Sequence, residues 1–95
     1  MTRLEQLRAQ AEEIRLIAAR HKASGVAVFG SVARGEDGQN SDYDFLVDFT
    51  TDASLFDLFH LQEELSSLLL SPVDVVSRRG LKPRDTHIRE EALAI

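Results

Sequence analysis

Cysteine is absent from the 95 residues, which excludes disulfides and thiolate metal sites. Basic charge is also short: Lys and Arg number 11 against 16 Asp and Glu, for a formal net charge of −5. A protein that grips a phosphate backbone shows a basic face and a high pI, so nucleic acid is not expected as a partner. A nucleotide ligand stays open, because bound metal ions reverse the local sign of a site. No apolar run approaches the roughly 20 residues needed to span a membrane. The first twenty residues are charged throughout and lack the apolar centre of a signal peptide. The expectation is a cytoplasmic chain with no membrane partner. There is no internal repeat, low-complexity segment or linker, and a chain this short is expected to be one domain over residues 1–95, with a modest core.

Several catalytic signatures are missing as well. The stretch GSVARGED lacks the Lys-Ser/Thr pair of a P-loop, and neither HExxH nor GxSxG occurs. DGQNSDYDFLVD faintly resembles a calcium loop, but Asp42 stands where an EF-hand needs glycine and the closing Glu is absent.

What is present is a Gly-Ser turn followed by a hydrophobic run studded with acids. FGSVARGEDGQNSDYDFLVDF, residues 29–49, carries Asp42, Asp44 and Asp48 in its second half. Strand interiors usually avoid Asp, which costs free energy when buried unpaired. The pattern around this stretch predicts the following order. Residues 2–22 read as one helix, with Leu4, Leu7, Ala11, Ile14 and Ala18 at helical steps. Residues 26–29 read as a buried strand ending at Gly30, and residues 35–41 as a polar loop. In residues 42–49, alternation puts Tyr43, Phe45, Val47 and Phe49 on one face and Asp42, Asp44, Leu46 and Asp48 on the other. Residues 54–70 read as a long helix with a variant capping box, Ser54 with Asp57. Residues 73–77 form a third strand with Asp74 at its centre. Pro83 suits the first turn of a last helix, with Ile88, Ala92 and Ile95 as its apolar positions. The order implies a small α/β (α+β) fold: a three-stranded mixed sheet with helices on one face.

The acids then acquire a chemical meaning. Residues two apart on a strand point the same way, with Cα atoms about 6.5–7 Å apart. Asp42 and Asp44 can bridge one or two divalent ions, and Asp74 from a neighbouring strand completes an all-oxygen site suited to Mg²⁺. Two such ions make a site for in-line phosphoryl or nucleotidyl displacement. The turn before them supplies the other half. Gly30 has no side chain to keep a phosphate from the backbone, and Ser31 offers a hydroxyl.

FGSVARG, ten positions between Ser31 and Asp42, SDYDFLV and then VDVV together resemble the nucleotidyltransferase superfamily that includes DNA polymerase β. The variant GSxARG…SDxDxxV in a chain of about this length is similar to the minimal nucleotidyltransferase antitoxins, whose partners are toxins with an all-helical HEPN domain. The resemblance covers residues 28–76, and IREEALAI is similar to the family's C-terminal end. It implies that Gly30 and Ser31 hold ATP's triphosphate, that Asp42 and Asp44 bind two Mg²⁺ ions, and that Asp74 ligates the ion at the attacking hydroxyl. It further implies transfer of AMP from ATP to a tyrosine of the toxin. The alternative is a binding module that neutralises the toxin by contact alone.

Other residues read as follows. Arg34 either grips a phosphate or pairs with a strand carboxylate. Asp48 is expected at a solvated strand end. His21, His60 and His87 are expected on the surface, Tyr43 in the core, and Arg78, Arg79 and Lys82 on a solvated turn.

Overall fold

The computed structural model describes residues 2–38 and 42–95; residues 39–41 of the expected polar loop lie outside them. Among the described residues one sheet has the strand order β3-β2-β1-β4. Its strands are β1 (Ala23–Phe29), β2 (Tyr43–Phe49), β3 (Val73–Ser77) and β4 (Leu93–Ala94). β1 runs antiparallel to β2 and β4, while β2 and β3 are parallel. The expected three strands are therefore four. The additional one is the C-terminal edge, where residues read as helix instead pair with β1, Leu93 against Val28 and Ala94 against Ala27.

The first helix is also two: α1 (Arg3–Ala9) and α2 (Ala11–Arg20), parted at Gln10. Between β1 and β2 lies a short helix α3 (Gly30–Arg34). The long helix α4 (Leu55–Leu69) stands where it was expected, and Asp57 accepts the Ser54 backbone N–H at 2.8 Å in its capping box. The final helix is shorter than expected. A 3₁₀ turn at Pro83–Asp85 leads into α5 (Thr86–Glu91), after which the chain becomes strand.

The core lies on the helical side of the sheet. Leu7, Ile14, Ile17, Ala18, Leu61 and Leu65 from the helices meet Val26, Val28, Tyr43, Phe45, Val47, Val73 and Val75 from the strands. Tyr43 is in this core as expected, its ring stacked beside Phe45 at 6.2 Å and capped by the Arg3 guanidinium at 4.9 Å. The opposite face is not uniformly open, since Leu46 there is fully buried. Two ties between helices complete the frame: Arg20 and His21 both reach Glu64, each at 3.0 Å. That corrects the surface reading of His21, which is half-buried against α4, while His60 and His87 are exposed. Among the described residues no helix is long and apolar enough to cross a membrane.

Candidate active site

β2 and β3 run parallel in a register that sets Asp44 directly beside Asp74. The antiparallel register on the other side of β2 sets Asp44 beside Phe29, the last residue of β1. One residue further, β1 turns into α3 at Gly30. Three elements thus bring the Gly30–Ser31 turn, Asp44 and Asp74 to one end of the sheet. Asp42, just before β2, points the same way by alternation. Asp42 and Asp74 are exposed and Asp44 is half-buried.

Gly30 explains how the turn and the acid fit together. Its φ is +74°, a left-handed conformation that side chains rarely adopt, and a Cβ there would collide with the Asp44 carboxylate. The missing side chain makes room first for Asp44; the sequence had suggested room for a phosphate alone.

Electrostatics single out Asp44. Burial pushes its carboxyl above the usual Asp range, and the neighbouring charges of Asp74, Asp42 and Glu91 push the same way, against a weaker pull from Arg34. Like charges gathered beside a partly desolvated carboxylate favour a bound cation or proton. Among the described residues no three His, Cys, Asp or Glu side chains close around a point tightly enough to enclose an ion by themselves. The donor set still suits Mg²⁺. Its donors are hard carboxylate oxygens, and Mg²⁺ is ordinarily held by one or two carboxylates together with water and substrate phosphates, not by an all-protein cage.

The remaining candidates have other partners. Arg34 pairs with no strand carboxylate among the described residues: its Nη1 lies 3.0 Å from Glu91 on α5 and its Nε 3.4 Å from Glu36. Asp48 is not left to solvent; Arg78 donates to it at 2.8 Å. Arg79 donates to the Phe49 carbonyl, so two of the three basic residues expected on a solvated turn fasten that turn to the end of β2.

Glu91 was missed by sequence reasoning. Its Oε1 accepts the Gly30 N–H at 2.9 Å. Burial opposes its ionisation, yet the Gly30 N–H and Arg34 outweigh it and hold the carboxyl below the usual Glu range. The available signal was the apolar run after Glu91, too short to extend a helix usefully.

Comparison with known proteins agrees with this fold. A family model described as polymerase beta, nucleotidyltransferase matches residues 12–94. The protein adenylyltransferase MntA of Thermococcus cleftensis is 40% identical over 79 residues, covering 75% of this chain and 80% of that protein. The chain spans 63% of a Methanocaldococcus jannaschii relative, provisionally named a protein adenylyltransferase, at 37% identity over 62 residues. A solved structure provisionally described as a minimal nucleotidyltransferase superposes with a TM-score of 0.87 at 46% identity, over 100% of this chain and 97% of that one. A tri-AMPylated HEPN toxin in complex with an MNT antitoxin, from Shewanella oneidensis, aligns at a TM-score of 0.69 over 92% of this chain and 69% of that one. Its 19% identity makes it a likeness of fold alone.

Proposed function

The chain belongs to the polymerase beta nucleotidyltransferase family, and on that premise we propose that it transfers AMP from ATP to a hydroxyl, a tyrosine's, on a HEPN-domain toxin and so acts as that toxin's antitoxin. The single observation that carries the reading is the register that sets Asp44 beside Asp74 at the Gly30–Ser31 turn. The name of the Thermococcus relative supports protein as acceptor, and the fold shared with an antitoxin bound to a HEPN toxin supports the partner class.

The chemistry follows from that geometry. The acceptor oxygen forms a bond to the α-phosphorus while the bond from that phosphorus to the bridging oxygen breaks. Pyrophosphate leaves with the electron pair and the hydroxyl proton is released. Such a displacement asks mainly for positioning and charge neutralisation. Ser31 would donate its hydroxyl to a phosphate oxygen, and the Gly30 turn would seat the triphosphate. Asp42, Asp44 and Asp74 would hold two Mg²⁺ ions, which when bound supply neutralisation of the phosphates and activation of the hydroxyl.

A second reading, neutralisation by contact alone, leaves the gathering of Asp44 and Asp74 beside the Gly30–Ser31 turn without a purpose. Incubation of the purified protein with labelled ATP, Mg²⁺ and a HEPN-domain partner separates the two. Label is expected on the partner, at tyrosine, and chelation should abolish it. A partner that is bound yet stays unlabelled would overturn the catalytic reading.

A further inference from the structure

Glu91, the last residue of α5, sends its carboxylate into the turn that seats the nucleotide in the reading above. Oε1 accepts the Gly30 N–H at 2.9 Å and Arg34 Nη1 at 3.2 Å, and Oε2 accepts Arg34 Nη1 at 3.0 Å. Gly30 is buried, so its amide depends on a protein partner. The carboxylate is itself well anchored. Beyond Glu91, β4 pairs with β1, and the Ile95 N–H donates to the Val26 carbonyl at 3.1 Å. The strand that ends just before Gly30 therefore also fixes the backbone that carries Glu91.

Arg34 completes the arrangement. Its Nη1 and Nε are committed to Glu91 and Glu36, so it orients and neutralises Glu91. We infer that Glu91 is a positioning residue for the nucleotide: it holds the Gly30–Ser31 peptide in the orientation that presents Ser31 to the triphosphate, and Arg34 acts through Glu91, not on the phosphates. The inference rests on the adenylyl-transfer reading. Its rival is a gate, in which the Glu91 carboxylate occupies a place that phosphate must take.

Calorimetry with a non-hydrolysable ATP analogue and Mg²⁺ distinguishes them. Glu91→Ala should weaken binding roughly tenfold or more, as loss of a charge-assisted hydrogen bond at the turn. In turnover the KM for ATP should rise by a similar factor, with kcat at saturation nearly unchanged. Glu91→Gln keeps an acceptor for the Gly30 amide and should bind within about threefold of wild type, as expected for loss of an exposed ion pair. Arg34→Gln should cost about as little, and the double variant should bind no more weakly than Glu91→Ala alone, because coupled residues are not additive. Wild-type or tighter affinity in Glu91→Ala overturns the inference, and so does a double variant weakened by the full product of the two factors. Should Glu91→Ala fail to fold, Gly30 amide exchange in Arg34→Gln decides. Faster exchange than wild type supports the relay, and unchanged exchange overturns it. A wild-type protein that takes up no analogue gives a different result: it removes the adenylyl-transfer reading and this inference with it.

Discussion

In the proposed site, Asp44 is where the demands of stability and of chemistry would meet in one side chain. In the metal-free protein burial and the charges of Asp74, Asp42 and Glu91 raise its pKa. The folded state therefore binds this proton more readily than the unfolded chain. Stability falls as pH rises from Asp's ordinary value through the raised one, and the ionised carboxylate is a net cost at neutral pH. Asp44→Asn should thus raise the melting temperature of the apo protein at neutral pH, with the difference shrinking as pH falls below the ordinary Asp range. The same substitution should abolish AMP transfer. A variant less stable than wild type at neutral pH, or one that retains transfer, contradicts the assignment. Gly30 gives the complementary test. Gly30→Ala must hold a left-handed φ, worth about 1–2 kcal/mol, and must also displace the Asp44 carboxylate. Gly35 has φ +73° with nothing within 4 Å of an added Cβ, so Gly35→Ala meets the first cost alone. Thermal melts should rank Gly30→Ala below Gly35→Ala, and only the former should lose nucleotide transfer.

At the scale of elements, α4 shows what a local pattern can carry and where strain is left over. Its start follows from Ser54 and Asp57, its buried stripe from Leu61 and Leu65, and its end from the turn before Pro72. The cap at that end is Leu70, at φ 52° and ψ 39° and 90% exposed. A left-handed cap favours glycine, and a leucine with no packing to compensate is strained there. Leu70→Gly should stabilise the fold by about 0.5–1 kcal/mol, after the larger unfolded-state entropy of glycine is subtracted. That corresponds to about 2–8 °C in melting temperature for a domain of this size; a lower melting temperature would show that Leu70 packs in a way its exposure does not suggest. The two elements that sequence reading misplaced have a different physics. Gln10 has no breaker chemistry, and the apolar stripe of Leu7, Ala11 and Ile14 continues past it, so the break shows only in its backbone, at φ −105° and ψ 11°, with its amide shared between the Gln6 and Leu7 carbonyls. β4 is two residues whose Leu and Ala favour helix locally; pairing with the distant Val28 and Ala27 overrides that preference. Glu91 was hidden for a similar reason, because its partners Gly30 and Arg34 are distant in sequence and only the fold brings α5 against α3. Asp44, Asp74 and Gly30 were legible because strand alternation and the Gly-Ser turn are local signals, and parallel pairing of β2 with β3 then did the rest.

For the whole molecule, the proposed antitoxin role poses a choice between neutralisation by chemistry and by contact. All the described elements belong to one sheet and the helices on it. The carboxylates stand at one end of that sheet, with Asp42 and Asp74 exposed. Acids so exposed are open to an acceptor hydroxyl on the surface of another protein, as the proposed reaction needs. With a net charge of −5 and an acid cluster at the site, ATP is repelled unless divalent ions accompany it, so contact and catalysis should separate cleanly when the acids are removed. The Asp42→Asn, Asp44→Asn double variant keeps the apolar core and relieves repulsion at the site, so it should fold and should still bind a HEPN-domain partner. Co-expressed with that partner in cells whose growth it arrests, wild type should restore growth, and intact mass should show the partner heavier by one or more AMP units. The double variant should copurify with an unmodified partner and leave growth arrested. Growth restored by the double variant, with the partner's mass unchanged, would mean that binding alone silences the toxin and that the acids serve some other end.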